Sequence, residues 1–163
     1  MLPQKDSSER ARAYLLRLLA HRPRSRAEAQ ERLQQKGFSK DVITTVLHEA
    51  EQKGWLNDRL FARLWIEDRV ARHPKSRHAL ARELAARGLD PELIEDALAR
   101  AAIDETALAE ALVRQRLSRY RHLTPQERQR RLVGLLQRRG FPPRVIQRAL
   151  QPLGESVDYD DGI

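Results

Sequence analysis

The chain has 163 residues, of which 33% are charged and 5% aromatic; it contains no cysteine and carries a formal net charge of +8. The lack of cysteine excludes disulfides, thiolate metal sites and a thiol nucleophile, and it fits a reducing compartment. Leucine, alanine, arginine, glutamate and glutamine dominate, and these residues lose little on entering a helix, so the composition predicts an all-α protein.

Helical periodicity and capping residues predict nine helices, arranged as three modules of three. The first module, residues 8–53, has helices at 8–20, 25–36 and 39–52. The second module, residues 54–102, has helices at 57–72, 76–87 and 90–101. The third module, residues 103–151, has helices at 104–121, 125–139 and 142–151. Each module has only a small core, so we expect an elongated tandem array in which neighbours stabilise one another.

A repeated motif organises the array. It reads "LQQKGFSKDVITTVL" at 33–47, "LAARGLDPELIEDAL" at 84–98 and "LQRRGFPPRVIQRAL" at 136–150. Its glycines, Gly37, Gly88 and Gly140, are 51 and 52 residues apart. Each glycine follows a basic residue and precedes an apolar one, which is typical of the left-handed residue that ends a helix. The motif therefore predicts a helix end followed at once by a new helix start.

Short polar side chains predict the other helix starts. Ser25 and Ser76 each lie twelve residues before the glycine of their module, and "SRAE" from Ser25 is a capping box. The third module is looser there and has a longer middle helix. The other expected N-caps are Asn57 or Asp58, Asp104 and Thr124.

Signatures of several enzyme classes are absent from the sequence. The seven glycines never occur as G-x-G, which excludes a Walker loop and a dinucleotide fingerprint. The histidines form no H-E-x-x-H, and Pro74 separates His73 from His78, so we expect no metal site. The carboxylates of "DYDD" fall in an acidic tail, residues 152–163, that we expect to be disordered and unable to position acid and base groups. We therefore expect neither an enzyme nor a cofactor.

Hydropathy and charge indicate the kind of partner. No stretch approaches the roughly 20 apolar residues of a membrane span, and "MLPQKDSSER" has no signal region, so we expect a cytoplasmic protein without membrane contact. Residues 114–148 contain eleven arginines and one acid, Glu127. Such a block of one sign raises self-repulsion, which an anionic partner would relieve.

The segment "GWLNDRLFARLWIEDR" at 54–69, with "RSRAEAQERLQQKGF" before it and "RHALARELAARGL" after it, resembles the RecX family of bacterial recombination regulators. The resemblance covers roughly residues 10–151 and includes the three-module spacing. One departure is Ala29, where the family usually has leucine. The spacing of Phe61, Trp65 and Ile66 on one helix face favours core packing over a stacking platform, and we expect Trp55 to pack where the first two modules meet.

The resemblance implies a protein without catalytic residues that binds the RecA filament on single-stranded DNA. It would lie along the filament groove and restrain filament growth, ATP hydrolysis and strand exchange. The implied partners are RecA and single-stranded DNA, with duplex DNA as a further candidate, and we expect a monomer. From charge and position alone, we predict contacts by Arg24, Arg26, Lys75 and Arg77 at the matching helix starts, and by Arg128, Arg130, Arg131, Arg138, Arg139, Arg144 and Arg148 in the third module.

Two other functions fit the sequence. A regulator that reads duplex DNA by sequence would also use three-helix units and positive charge. Its last helix, however, starts with "PPRVIQR", which offers few side chains for base readout. The second alternative is an interaction scaffold that needs no nucleic acid.

Overall fold

A computed structural model of the chain describes residues 4–154, and these residues contain nine α-helices and no strand. This confirms the predicted all-α array of three-helix modules. The acidic tail lies outside the described residues from residue 155 onward. The helices are α1 (Gln4–His21), α2 (Arg26–Gln35), α3 (Lys40–Gln52), α4 (Asp58–Arg72), α5 (Arg77–Ala86), α6 (Pro91–Ala101), α7 (Glu105–Leu117), α8 (Pro125–Arg138) and α9 (Pro143–Leu150).

Most helices begin at a side-chain cap that the sequence identifies. The N-cap oxygen accepts a hydrogen bond from the backbone N–H three residues later at Ser25, Ser39, Ser76, Asn57 and Asp104. Asn57, rather than Asp58, therefore caps α4. The expected end of α7 at residue 121 is replaced by a tighter 3-10 turn, Ser118–Tyr120, directly after Leu117.

The glutamate three residues after the N-cap binds different partners in α8 and in α2. Thr124 and Glu127 form a complete capping box at α8, and Pro125 occupies the first helical position. At α2 the carboxylate of Glu28 is bound instead by the guanidinium groups of Arg22 and Arg87, at 3.2 and 2.8 Å. The box predicted from "SRAE" is thus partly diverted into an ion-pair cluster.

Contacts between Cα atoms divide the chain into two compact units. Within the described residues, the first comprises 4–65 and 82–100, and the second comprises 66–81 and 101–154. The boundary falls within α4, within α5 and before the last residue of α6, so residues of the second module belong to both units.

Each unit contains a leucine-rich core. In the first unit, α1, α2 and α3 surround Leu15, Leu33 and Leu47, and Trp55 packs against the edge of this core. In the second unit, α7, α8 and α9 surround Leu112 and Leu136 together with other apolar residues. The modules therefore bury their apolar faces as the helical spacing predicts.

The aromatic residues of α4 confirm the core interpretation only in part. Phe61 and Ile66 are buried as predicted. Trp65 is half-buried: its ring stacks on Phe61 with centroids 5.8 Å apart, and its Nε1–H donates to Glu83 at 2.9 Å. The guanidinium of Arg87 lies 4.5 Å from the centroid of the same ring. Trp65 is therefore a surface anchor for charged side chains as well as a packing residue.

The repeated glycines end α2, α5 and α8 as predicted. Gly37, Gly88 and Gly140 have φ angles of +93°, +79° and +83°. In each copy, the N–H of the residue after the glycine donates to the carbonyl of the motif's first leucine, at 3.3, 3.3 and 3.1 Å. This bond closes the helix end and turns the chain towards the next helix.

The start of α2 is seated on the helix end at Gly88, and this contact, here called joint 1, lies within the first unit. Ser25 Oγ donates to the Arg87 carbonyl at 2.6 Å, and the Arg26 N–H donates to the Asp58 carboxylate at 2.8 Å. A Cβ on Gly88 would overlap the Cβ of Ala27. The glycine is thus required for close approach as well as for its backbone conformation.

The start of α5 is seated on the helix end at Gly140 in the same way, and this contact, joint 2, lies within the second unit. The Ser76 N–H donates to the Arg139 carbonyl, and the Arg77 N–H donates to the Glu105 carboxylate, both at 3.0 Å. A Cβ on Gly140 would lie 2.6 Å from Ser76 Oγ. In both joints, therefore, a backbone carbonyl and a carboxylate accept hydrogen bonds from the helix start, and a glycine leaves room for it to approach.

One copy of the glycine motif, at Gly37, and one start of a middle helix, that of α8, take part in neither joint. Among the described residues, no atom lies within 4 Å of a Cβ built on Gly37, apart from its chain neighbours. The start of α8 is served by its own capping box, and its first residue, Pro125, has no N–H for a carboxylate to bind.

Candidate nucleic-acid interface

The basic residues predicted at the starts of α2 and α5 lie in or beside the joints. Arg24 is half-buried, and burial lowers the pKa of its guanidinium more than the charges of Arg22 and Arg32 do. The Nε of Arg24 is buried and has no hydrogen-bond partner within residues 4–154. Arg26 pairs with the Glu51 carboxylate through Nε. Burial of Arg24 and the ion pair of Arg26 thus engage both side chains partly within the first unit.

The second pair differs from the first. Lys75 is half-buried beside Ser76. Arg77 gives its backbone N–H to joint 2 but leaves its side chain exposed. Within this pair, Arg77 is the one whose side chain is presented to solvent.

Two arginines of the third module turn inward. Arg128 is half-buried; its Nη2 donates to the Leu123 carbonyl at 3.4 Å, while its Nε has no partner among the described atoms. Arg139 donates from Nη1 to the Pro74 carbonyl at 3.1 Å. Burial, followed by the charges of Arg116 and Arg138, lowers the pKa of Arg139. Both side chains support the fold of the second unit.

Three other arginines of α8 come together in one shallow depression of about 370 Å³, here called the arginine pocket. It is lined by Tyr120, Arg130, Arg131, Gly134 and Arg138. The three arginine side chains are exposed, whereas Tyr120 is half-buried and packs against the core of the second unit. The structure thus gathers three of the predicted contact residues around a fixed aromatic ring.

Among residues 4–154, no acidic side chain lines the arginine pocket. Within the part of the chain that the structure describes, Arg130, Arg131 and Arg138 have no ion-pair partner. Glu127, the one acid of α8, is held in its capping box, and the Thr124 N–H lowers its pKa more than the nearby Arg131 and Arg130 do. The pocket therefore concentrates positive charge for which the described part of the chain supplies no ion pair.

The remaining two predicted residues lie elsewhere on the second unit. Arg144 lines a separate depression of about 660 Å³ at the starts of α7 and α9, together with Asp104 and Glu105. Arg148 is exposed on α9. The structure does not place either residue in the arginine pocket.

Sequence reasoning missed Gly134 and Tyr120. Gly134 is in the interior of α8, where glycine is about 1 kcal/mol less favourable than alanine. A Cβ at this position would lie 3.1 Å from Nη1 of Arg138. A glycine inside a helix, with arginines three and four residues before it and four after it, is the sequence signal that could have identified the pocket.

Other kinds of site were sought in the same residues. No group of three or more histidine, aspartate or glutamate side chains between residues 4 and 154 is arranged to hold a metal ion. Of the helices described, none is long and apolar enough to cross a membrane.

Comparison with known proteins identifies relatives over almost the whole chain. Family models of the first, second and third three-helix domains of RecX match residues 11–49, 57–98 and 103–150. The regulatory protein RecX of Streptomyces coelicolor is 36% identical over 167 residues, covering 98% of this chain and 89% of that protein. The RecX of Thermobifida fusca is 37% identical, covering 95% and 86%.

Solved structures show the same fold. The crystal structure of RecX from Lactobacillus salivarius matches with a TM-score of 0.78 at 21% identity, covering 92% of this chain and 98% of that one. A second regulatory protein RecX matches with a TM-score of 0.71 at 19% identity, covering 87% and 70%.

Proposed function

Because this chain belongs to the RecX family of regulatory proteins, we propose that it binds the RecA filament on single-stranded DNA and restrains filament growth, ATP hydrolysis and strand exchange. In this proposal the protein acts as a monomer in the cytoplasm and lies along the filament groove. ATP hydrolysis belongs to the filament, so the regulator needs no catalytic residue of its own.

The observation that supports this proposal best is the unpaired charge of the arginine pocket. Three exposed guanidinium groups share one opening, and none of the acids that the structure describes lines it. A filament that carries DNA phosphates and acidic protein surface would neutralise this charge, and the attraction would speed association at low salt.

The modular fold supports the proposal in a second way. A filament presents the same surface once per protomer, and a chain of repeated modules can meet several such surfaces in series. Several weak contacts then raise the overall affinity without one strong site. The proposed contacts on the first two modules are made by Arg24, Arg26, Lys75 and Arg77, and those on the third by Arg128, Arg130, Arg131, Arg138, Arg139, Arg144 and Arg148.

The test is the ATPase rate of RecA on single-stranded DNA with this protein at substoichiometric concentration. We expect inhibition, because one regulator bound to a filament affects many protomers. An unchanged ATPase rate, together with tight sequence-selective binding to duplex DNA, would instead favour a sequence-reading regulator and contradict the proposal.

A matched pair of triple variants tests the contact surface. Arg130→Gln, Arg131→Gln and Arg138→Gln together remove three charges from the pocket. Arg59→Gln, Arg72→Gln and Arg100→Gln remove three charges from side chains that are 72%, 77% and 77% exposed elsewhere. We expect the pocket variant to require about tenfold more protein for half-inhibition and the control to differ little. Equal effects of the two variants would mean that net charge, not the pocket, determines binding.

A further inference from the structure

The pocket arginines occupy one face of α8. Positions 130, 131, 134 and 138 fall within about 100° of arc at 3.6 residues per turn, so their side chains leave the helix in similar directions. Like charges placed this close repel one another. An arrangement of this kind is typical of sites that an anion occupies.

Gly134 shapes the floor of the pocket. Its φ is not positive, so the backbone conformation does not require glycine there. The missing side chain leaves space that the Arg138 guanidinium reaches, since a Cβ would lie 3.1 Å from its Nη1. Glycine at position 134 makes α8 less stable than alanine would. It also leaves space in which the guanidinium of Arg138 lies against the helix instead of extending into solvent.

Tyr120 gives the pocket an aromatic wall. It ends the 3-10 turn after α7 and packs against the core that contains Leu112 and Leu136, which fixes its ring. The residue is half-buried and lines the pocket, so a ligand in the pocket would meet it. A fixed, partly exposed ring beside basic side chains is the combination with which proteins stack unpaired bases.

The basic side chains of this region are arginines rather than lysines, which favours a phosphate ligand. All basic residues in 114–148 other than His122 are arginine, and the last lysine of the chain is Lys75. Arginine presents a planar fork of N–H donors that can engage two phosphate oxygens at once, whereas lysine acts as a point charge.

We infer that the arginine pocket binds a phosphate group of single-stranded nucleic acid, with Arg130, Arg131 and Arg138 on the phosphate oxygens and the Tyr120 ring against the adjoining sugar or base. The inference deepens the proposed function, because it assigns the DNA strand, rather than acidic protein surface, to this part of the chain. It can be tested without RecA, so the two proposals can fail separately.

The experiment measures binding of the full-length protein to a short fluorescein-labelled oligothymidine by fluorescence anisotropy over a series of salt concentrations. Arg131→Gln should weaken binding about tenfold and lower the slope of log K against log salt by about 0.7, the value for one single-strand phosphate contact. Arg114→Gln removes the same charge from an exposed side chain of the same unit that does not line the pocket and is not among the proposed contacts. It should change the affinity no more than about twofold.

A variant without charge change isolates the shape of the pocket. Gly134→Leu fills the opening and favours the helix, so we expect a melting temperature at least equal to that of the parent and binding about tenfold weaker. If Gly134→Leu lowers the melting temperature, Arg138→Gln repeats the test without touching the backbone of α8. Tyr120→Leu, which keeps apolar packing, should weaken binding at least fivefold through lost stacking.

Three outcomes would overturn the inference. One is that Gly134→Leu, stably folded, binds the oligonucleotide as tightly as the parent. Another is that Arg114→Gln weakens binding as much as Arg131→Gln, which would show diffuse attraction. Absence of oligonucleotide binding with intact inhibition of RecA would also refute the inference, assign the pocket to acidic protein surface and leave the proposed function standing. Pocket-dependent binding without inhibition would refute the proposed function alone.

Discussion

The glycine motif of the first module and its copies in the other two are alike in sequence but differ in their surroundings. Gly37 adopts the left-handed conformation with no described residue packed beside its Cα, whereas Gly88 and Gly140 adopt it against the serine-capped start of another helix. One sequence motif therefore has two separable roles. Ending a helix is common to all three copies, and seating the preceding module belongs only to the second and third.

Replacing a motif glycine with alanine should give the largest difference between the two roles. Gly37→Ala should cost about 1 kcal/mol, since it introduces only left-handed backbone strain. Gly88→Ala should cost about 3 kcal/mol, because overlap with Ala27 adds to the same strain. Urea-unfolding midpoints measure the difference. Equal losses would mean that joint 1 yields easily and that Gly88 serves only as a helix end.

A smaller effect is expected from the serines. Ser39 is an exposed N-cap, whereas Ser25 is fully buried and also donates to the Arg87 carbonyl. Ser39→Ala should therefore cost about 1 kcal/mol and Ser25→Ala about 2 kcal/mol. Thermal melts followed by circular dichroism compare the two. The bond across joint 1 contributes nothing if Ser25→Ala is no worse than Ser39→Ala.

The smallest effect concerns the carboxylate of joint 1. Burial raises the pKa of Asp58 above its ordinary value of 3.8, although the Arg26 N–H acts in the opposite direction. The folded chain thus holds this proton more tightly than the unfolded chain does, and ionised Asp58 costs stability at neutral pH. The tighter proton binding by Asp58 stabilises the fold in full at pH values below 3.8. This contribution to the free energy of unfolding is lost as the pH rises through the raised pKa.

Asp58→Asn keeps an oxygen for the Arg26 N–H and removes the charge. We expect the variant to be slightly more stable than the parent near neutral pH, with the advantage shrinking as the pH falls through the raised pKa and vanishing below 3.8. Denaturant midpoints over this pH range provide the measurement. A variant that is less stable at neutral pH would show that attraction between the carboxylate and the start of α2 outweighs burial.

The fold could be predicted closely because its signals are local. Ser25, Ser76 and Thr124 cap helices through amides three residues away, and such bonds are visible as spacing in the sequence. The joints could not be predicted in this way. Ser25 and Arg87 are 62 residues apart, and the acceptor is a backbone carbonyl that any residue supplies.

The arginine pocket was only partly predictable. Charge density identified Arg130, Arg131 and Arg138, but it equally identified Arg128 and Arg139, which turn inward to carbonyl oxygens. Burial and hydrogen-bond partners depend on packing, which composition does not encode. Tyr120 was overlooked because its position follows from the 3-10 turn that ends α7 earlier than helical periodicity suggests.

The Thr124–Pro125 start of α8 has a consequence for protein engineering. Both joints use an N–H at the first helical residue, and proline has none. A module fused ahead of the chain would meet Gly37, beside which no described residue packs, whereas a module fused after it would lack the first-residue N–H that both joints use. The repeat can therefore be lengthened by design in one direction only, unless Pro125 is replaced first.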